Sequence, residues 1–232
     1  MKKWILIGLS IVVVVMLGFA VRFFVVTPGQ IEQAQNRVKP VALNVTPAAQ
    51  ALHATLDVAD MHVDSLLWKR DLLERSDRGH VDLPHLVEGH YALQVFSSVT
   101  KSPKGQNYNA NGADSDTITL LTMIDLQPSK TWSSLLQRSL WHAQKLQDFA
   151  ERSGGRLRLI RAPADIDRLL ADRKGRAMAV GAMLSIEGLH DLEGKIENIL
   201  MCSTPRASAW QALRISLTMM SPAPCMASIR VA

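Results

Sequence analysis

The sequence predicts an α/β fold with parallel strands, preceded by one membrane-spanning helix. Three observations support this prediction. An uncharged apolar run extends from Trp4 to Val21, strand-like and helix-like segments alternate from Leu56 onward, and the last strand-like segment, Ala177 to Ile186, is apolar almost throughout. A strand that is buried on both faces of a parallel sheet has such a continuous apolar run, and alternating strands and helices are typical of α/β proteins.

Residues 1–26 are predicted to be a membrane anchor. Two lysines precede the run from Trp4 to Val21, which is close to the ~20 apolar residues that a helix needs to cross a bilayer. Because lysines on the short N-terminal side favour retention of that end in the cytoplasm, the rest of the chain is expected on the periplasmic or extracellular side. A cleaved signal peptide is the alternative, since Gly18 and Ala20 are small residues near the end of the run. The length of the run favours an uncleaved anchor.

Residues 27–51 are predicted to be a polar tether, because prolines interrupt a segment without sustained periodicity. Residues 52–198 then contain the alternating pattern of strands and helices. Its predicted elements are, in order, a strand at Leu56–Met61, a helix at Leu66–Arg75, a strand at Tyr91–Val99, a helix at Trp132–Arg152, a strand at Arg156–Ile160, a helix at Pro163–Leu170 and a strand at Ala177–Ile186.

Three residues that could bind a metal ion lie at the ends of predicted strands. His62 and Asp64 are two positions apart, and this spacing places both side chains on the same face of a strand. One ion can then bind an imidazole nitrogen and a carboxylate oxygen. By itself, such a pair is more often a surface pair or a buried histidine without a metal. Glu187 ends a later strand, and active sites of α/β barrels gather at the C-terminal ends of strands, so we expect the three residues to form one site.

Longer motifs surround these residues. The H-x-D motif at 62–64 is followed by "VDLPHLVEG" at 81–89, by "ALQVFSS" at 92–98 and by "SIEG" at 185–188. In content and order these motifs resemble the membrane (renal-type) dipeptidases, zinc metallopeptidases of the amidohydrolase-like barrel class. The resemblance covers residues 56–198. Met61 departs from it, because many members of the family have a smaller residue there.

This resemblance implies that residues 52–198 are the N-terminal portion of a TIM-like (β/α)8 barrel that hydrolyses dipeptides. It implies two zinc ions, with His62 and Asp64 bound to one of them and Glu187 as the bridging ligand. Two ions that share a carboxylate can hold a hydroxide between them and polarise the scissile carbonyl. The family's second pair of histidines, its substrate-binding histidine and arginine, and its acid–base aspartate cannot be placed in this sequence. The resemblance also allows a homodimer.

The α/β pattern ends after Asn198. Residues 199–232 contain no acidic residue, whereas they include both cysteines, Cys202 and Cys225. If "LRISLT" at 213–218 is back-translated and the frame is moved by one nucleotide, the codons read Leu-Thr-His-Phe-Phe-Asp, which is similar to the continuation of the family. We therefore interpret residues 199–232 as a frameshifted tail, and the chain as a truncated dipeptidase with little or no activity.

Two other functions remain open at the level of the sequence. One is a non-catalytic, membrane-anchored interaction protein derived from the barrel, and the other is a different amidohydrolase-type barrel that acts on cyclic amides or esters. Nucleic-acid binding is not expected despite the net charge of +5, because the basic residues are scattered and do not alternate with aromatic residues.

The remaining histidines are not expected to be ligands. His80, His85 and His90 are five residues apart, a spacing that suits neither a helix face nor a strand face, so they are interpreted as solvated or supporting residues. His142 is predicted to be a surface or packing residue of a helix. His190 follows Glu187 closely enough in sequence to contact the site.

Overall fold

Four parallel strands form the sheet on which the three predicted ligands lie. The structure, a computed structural model, describes residues 2–109, 112, 114–175 and 178–198. The strands are β1 (Val58–Val63), β2 (Tyr91–Ser98), β3 (Leu157–Leu159) and β4 (Val180–Ile186). They are arranged in the order β1-β2-β4-β3, and each neighbouring pair is parallel. The α/β class predicted from the sequence is therefore confirmed.

The order of the strands differs from that of a TIM-like barrel, in which strands adjacent in sequence are neighbours. β4 pairs with β2 from Leu93↔Gly181 to Ser98↔Ile186, so it lies between β2 and β3. β3 pairs only with the first three residues of β4. It is short because the chain enters the next helix at Pro163, where proline suits the first helical turn. The part of the chain that the structure describes contains an α/β sheet and not a closed barrel.

A continuous helical segment forms the N-terminus. It comprises α1 (Lys2–Val21), one π-helical turn (Arg22–Val26) and α2 (Thr27–Gln35). No residue of α1 is buried, and the most apolar 18-residue window of the segment has a mean hydropathy of 2.8. This helix is long and apolar enough to cross a membrane, and a signal sequence would share these properties.

Residues 27–51, predicted to be a polar tether, contain two helices and an irregular segment at 36–46 between them. Thr27–Gln35 is α2 and Pro47–His53 is α3. Proline occupies the first turn of both helices, where its missing N–H has no helical partner to lose. α2 also packs on the domain, because the buried carboxylate of Glu32 lies 3.6 Å from Arg70 Nε and 3.4 Å from Arg78 Nε. Pro28 and Pro47 therefore lie in the first turns of helices, whereas Pro40 lies in irregular chain.

The helix predicted at Leu66–Arg75 is wrong. Only a short 3-10 turn, Ser65–Leu67, forms there, and irregular chain follows it. The Lys145 ammonium donates hydrogen bonds to the carbonyl oxygens of Leu66 at 2.7 Å and Trp68 at 2.6 Å. In a helix, these oxygens would instead accept hydrogen bonds from backbone N–H groups. A cation from a distant part of the chain thus replaces the helical hydrogen bonds.

Helices cover both faces of the sheet. The remaining helices are α4 (Leu83–Glu88), α5 (Ile118–Ile124), α6 (Lys130–Ser133), α7 (Leu135–Arg152) and α8 (Pro163–Lys174). On one face, Leu146 and Phe149 of α7 belong to a core cluster with Phe96 and Leu184 of the sheet. On the other face, Leu169 of α8 packs in a cluster with residues of β2 and β4. The sheet is therefore buried on both sides at β2 and β4. The continuous apolar run at the end of the alternating pattern predicted this burial for β4.

Candidate metal centre

The three predicted ligands lie together at the C-terminal edge of the sheet. His62 is the penultimate residue of β1, Asp64 follows the end of β1, and Glu187 follows the end of β4. β1 and β4 flank β2 in the same direction, so their C-terminal ends meet at one edge. His62 Nε2 lies 3.1 Å from Asp64 Oδ1 and 3.6 Å from Glu187 Oε2. The structure thus brings together residues that are far apart in sequence.

A β-bulge in β1 sets the direction in which the His62 side chain points. Asp60 pairs with Gln94 and Val63 with Phe96, so β1 has one more residue than β2 between these pairs. Such a bulge re-aims a side chain, and His62 is exposed next to the exposed Met61. The Asp60 carboxylate holds this segment, because it accepts hydrogen bonds from the His62 N–H at 3.2 Å and from Gln94 Nε2 at 2.8 Å.

The backbone places Glu187 at the end of the sheet. Its N–H donates to the carbonyl oxygen of Ser98 at 3.2 Å, which extends the pairing of β2 with β4 beyond the last strand residue. Gly188 then turns the chain with φ +80°, and a Cβ there would lie 2.7 Å from the His190 ring. His190 therefore packs against Gly188 and is not among the three clustered ligands. Only glycine combines this φ with this close contact.

The electrostatics of the site favour a cation. Burial raises the pKa of the Asp64 carboxyl, the nearby His62 lowers it, and the Glu187 carboxylate raises it again. Asp64 Oδ1 is buried and accepts no hydrogen bond from the described residues. A buried acceptor without a partner costs free energy, and a bound metal ion would remove this cost.

The donor set fits one divalent ion of the zinc type. One imidazole nitrogen and two carboxylate oxygens are ligands that zinc uses, and three protein ligands leave a position open for water. Zinc binds such atoms at about 2.0–2.2 Å, which separates tetrahedral ligand atoms by about 3.4 Å. The potential ligand atoms here all lie within 4.8 Å of one another. The side chains are roughly half exposed, so water can reach the ion.

The structure does not provide a second complete ligand set. In the described ranges, this is the one group of three or more potential ligands found close together. The second pair of histidines that the resemblance implies cannot be placed in this sequence, and residues 199–232, which contain no histidine, lie outside the described residues.

Sequence reasoning missed a buried polar network next to the site. His142, expected to be a surface or packing residue, is fully buried. Its Nδ1 lies 2.7 Å from Ser98 Oγ, and Ser139 donates to Asp191 Oδ2 at 2.9 Å. Burial, together with the charges of nearby basic residues, lowers the pKa of His142 to about 3. The spacing of Ser139 and His142 on one helix face was the available signal.

The "VDLPHLVEG" motif has a structural role in the fold. Asp82 caps the start of α4, because its carboxylate accepts the His85 N–H at 2.9 Å. The same carboxylate lies 2.7 Å from His85 Nδ1 and accepts the Ser76 N–H at 3.0 Å. His85 therefore supports a helix start and lies outside the metal cluster, as expected for a supporting residue.

Comparisons with known proteins identify similar solved structures. No protein-family model and no curated protein matches this chain. One similar solved structure is a dipeptidase described as a metallopeptidase of family M19, with 19% identity and a TM-score of 0.44 over 63% of this chain and 40% of that chain. Another is a metallopeptidase from Rhodobacter sphaeroides bound to a phosphinate mimic of the dipeptide L-Ala-D-Ala, with 19% identity and a TM-score of 0.42 over 63% of this chain and 43% of that chain.

The chain matches about two fifths of the length of either neighbour. Both neighbours are metallopeptidases, and the first belongs to M19, the membrane dipeptidase family that the motifs of this sequence resemble.

Proposed function

We propose that this chain carries the first part of the metal centre of a membrane dipeptidase, a zinc-dependent hydrolase that cleaves the peptide bond of dipeptides. The observation that carries the proposal is the cluster of His62, Asp64 and Glu187, in which one buried carboxylate oxygen accepts no hydrogen bond within the described part of the chain. The motifs around these residues resemble the same family, and the dipeptide substrate is inferred from that resemblance.

The protein's own groups have separate roles in this proposal. A bound zinc ion supplies a hydroxide nucleophile at neutral pH and polarises the scissile carbonyl. His62 offers its Nε2 as a neutral nitrogen ligand, and Asp64 offers a carboxylate oxygen 3.1 Å from it. Glu187 follows the end of β4, and its Oε2 lies 3.6 Å from His62 Nε2. A carboxylate in that position has a second oxygen available for another ion, so Glu187 is the proposed bridge.

The proposal also covers the organisation of the chain. Residues 1–26 are a membrane anchor, 27–51 connect it to the domain, and 52–198 carry the first part of the family's barrel, in which β1, β2 and β4 are neighbouring barrel strands and β3 is an additional strand at the edge. Residues 199–232, outside the described residues, are a tail read in a shifted frame. The missing ligands and the substrate-binding histidine then lie in the original frame, and the chain as written has little or no activity.

Metal binding tests the site directly. The detergent-solubilised chain is expected to bind one zinc ion, measured by elemental analysis after equilibrium dialysis. His62→Ala or Glu187→Gln should lower zinc affinity at least tenfold, because each removes one of three ligands. His80→Ala, which changes an exposed histidine outside the cluster, should bind zinc as the unchanged chain does. A folded, monodisperse chain that binds no zinc would contradict the proposal and favour the non-catalytic interaction protein.

Sequencing of the coding DNA across the codons for Glu197 to Thr204 tests the proposed frameshift. A chain with the restored frame is expected to bind two zinc ions and to hydrolyse dipeptides, and His62→Ala should abolish that hydrolysis. Cyclic amides and esters serve as comparison substrates. A restored chain that cleaved these and left dipeptides intact would contradict the dipeptidase assignment while retaining the metal centre.

A further inference from the structure

The end of β2 connects Glu187 to helix α7. The carbonyl oxygen of Ser98, the last residue of β2, accepts the Glu187 N–H at 3.2 Å. The hydroxyl of the same serine lies 2.7 Å from His142 Nδ1 and 3.3 Å from Ser139 Oγ. One residue therefore contacts both the backbone of the candidate bridging ligand and a helix in the core.

A second connection holds the chain just after Glu187. Asp191 lies in the 3-10 turn His190–Leu192, and its Oδ2 accepts a hydrogen bond from Ser139 Oγ at 2.9 Å. Ser139 and His142 are three residues apart and so lie on one face of α7. This face thus contacts both the strand end that binds the Glu187 N–H and the turn that follows Glu187.

The network is inaccessible to water. Ser98, Ser139, His142 and Asp191 are each 0% exposed. In such a low-dielectric environment, water cannot replace a lost hydrogen bond, and an unpaired partner is costly. One arrangement of protons satisfies the contacts in sequence: His142 Nδ1–H donates to Ser98 Oγ, Ser98 donates to Ser139 Oγ, and Ser139 donates to Asp191. It requires a neutral imidazole with its proton on Nδ1, an assignment made from the hydrogen-bond partners.

We propose that Ser98, Ser139, His142 and Asp191 are positioning residues for the metal centre. By fixing residues 187–192 on α7, they set where the Glu187 carboxylate meets the ion. This inference rests on the proposed function, because it concerns the ligand role of Glu187. Residues that orient a metal ligand without contacting the ion themselves typically contribute about 10–100-fold to metal affinity.

Two adjacent serines provide a matched test. Ser98→Ala removes a buried hydroxyl of the network but keeps the carbonyl that binds Glu187. Ser97→Ala removes the neighbouring hydroxyl, which is also buried and has no hydrogen-bond partner among the described residues. Ser139→Ala is a second variant that breaks the network at another point, and Asp191→Asn retains an acceptor for Ser139.

Two measurements on the full-length chain in detergent separate the possible roles. Zinc affinity is measured by competition with a chromophoric chelator. Amide hydrogen exchange of the peptide that contains residues 187–192 is measured in the metal-free chain by mass spectrometry. Ser98→Ala and Ser139→Ala are expected to weaken zinc binding about tenfold or more and to accelerate exchange in this peptide. Ser97→Ala should change zinc affinity less than twofold and leave exchange unchanged, and Asp191→Asn should remain close to the unchanged chain.

The outcomes distinguish this inference from the proposed function. If Ser98→Ala and Ser139→Ala behaved like Ser97→Ala in both measurements, the positioning role would be overturned. If the unchanged chain bound no zinc while the two variants still accelerated exchange at 187–192, the proposed metal centre would be overturned, and the attachment of this loop to α7 would be supported.

Discussion

At the scale of single residues, the candidate metal centre depends on an unpaired carboxylate oxygen. Asp64 Oδ1 is buried and accepts no hydrogen bond from any described residue, and the metal-free site therefore carries the cost of a desolvated acceptor. His62 Nε2 lies 3.1 Å from this oxygen, and His62 lowers the pKa of the Asp64 carboxyl without reversing the rise that burial causes. A bound cation would offset the remaining cost of burying this oxygen.

Zinc is expected to stabilise the folded chain, since a ligand that binds only the folded state adds about 2.7 kcal/mol at a concentration 100 times its Kd. Asp64→Ala should remove most of this effect by deleting a ligand. The measurement is the thermal unfolding midpoint with and without zinc. Asp167→Ala, at an exposed position on α8, should keep the zinc-dependent increase. An equal increase in both variants would show that zinc binds elsewhere.

His142 should make stability depend on pH. Burial, with nearby Lys145 and Arg138, lowers the pKa of His142 to about 3 in the folded chain, whereas an unfolded histidine has a pKa of about 6.5. Between these values the unfolded chain binds a proton that the folded chain does not, so this residue reduces stability as the pH falls below about 6.5.

Replacement of His142 with glutamine removes that titration. We expect His142→Gln to be less stable than the unchanged chain at pH 7 but to lose less stability between pH 7 and pH 5, as measured by urea unfolding. The exposed His80 provides the control, and His80→Gln should keep the pH dependence of the unchanged chain. Parallel curves for His142→Gln and the unchanged chain would contradict this prediction.

At the scale of elements, the buried cation of Arg138 joins α7 to other segments of the chain. The Arg138 side chain is 1% exposed and forms an ion pair with Asp116 at 2.7 Å. Its other hydrogen-bond acceptors are the carbonyl oxygen of Thr100 before α5, the hydroxyl of Thr119 in α5, and the carbonyl oxygens of Thr131 and Trp132 in α6. Arg138 therefore joins α7 to the connection between β2 and α6.

Loss of this cation should be costly. Arg138→Leu removes the cationic partner of the Asp116 carboxylate and the donor to several carbonyl oxygens, and removal of one partner of a buried pair typically costs about 3–5 kcal/mol. The expected result is a decrease of that size in the free energy of unfolding, measured in urea. Arg168→Leu is the matched control, because Arg168 forms an exposed ion pair with Asp165 and such pairs contribute about 0–1 kcal/mol. Equal effects of the two changes would contradict the structural role of Arg138.

At the scale of the whole molecule, the exposed apolar helix has the length and composition of a membrane span or a signal sequence. α1 has 20 residues and none of them is buried, and at about 1.5 Å per residue such a helix is as long as the hydrocarbon core of a bilayer. α2 continues it and contacts the domain through Glu32. α1 and the domain are therefore connected by a helix that packs on the domain.

Deletion of residues 2–21 is expected to move the chain from the membrane fraction to the soluble or aggregated fraction, because the apolar span is lost. The unchanged chain should resist extraction by alkaline carbonate. The intact mass of the chain recovered from membranes distinguishes an anchor from a signal peptide. A mass that lacks residues around Gly18 and Ala20 would show cleavage and contradict the uncleaved anchor.

The sequence by itself determined the local elements and the identity of the candidate ligands. The apolar run at the end of the alternating pattern is β4, and the amphipathic segment with Leu146 and Phe149 is α7, because periodicity and end signals act within a few residues. His62, Asp64 and Glu187 were identified from motifs and strand ends, which are also local properties of the chain.

Only the tertiary structure decided features that depend on contacts between distant residues. It placed β4 between β2 and β3, it replaced a predicted helix with carbonyl oxygens bound to Lys145, and it buried His142 against Ser98. The physical reason is the same in each case. A buried polar group takes whichever partner the folded chain brings within hydrogen-bond distance. The order of the strands depends on which faces of the sheet the helices can cover. Neither property can be deduced from the spacing of residues along the sequence.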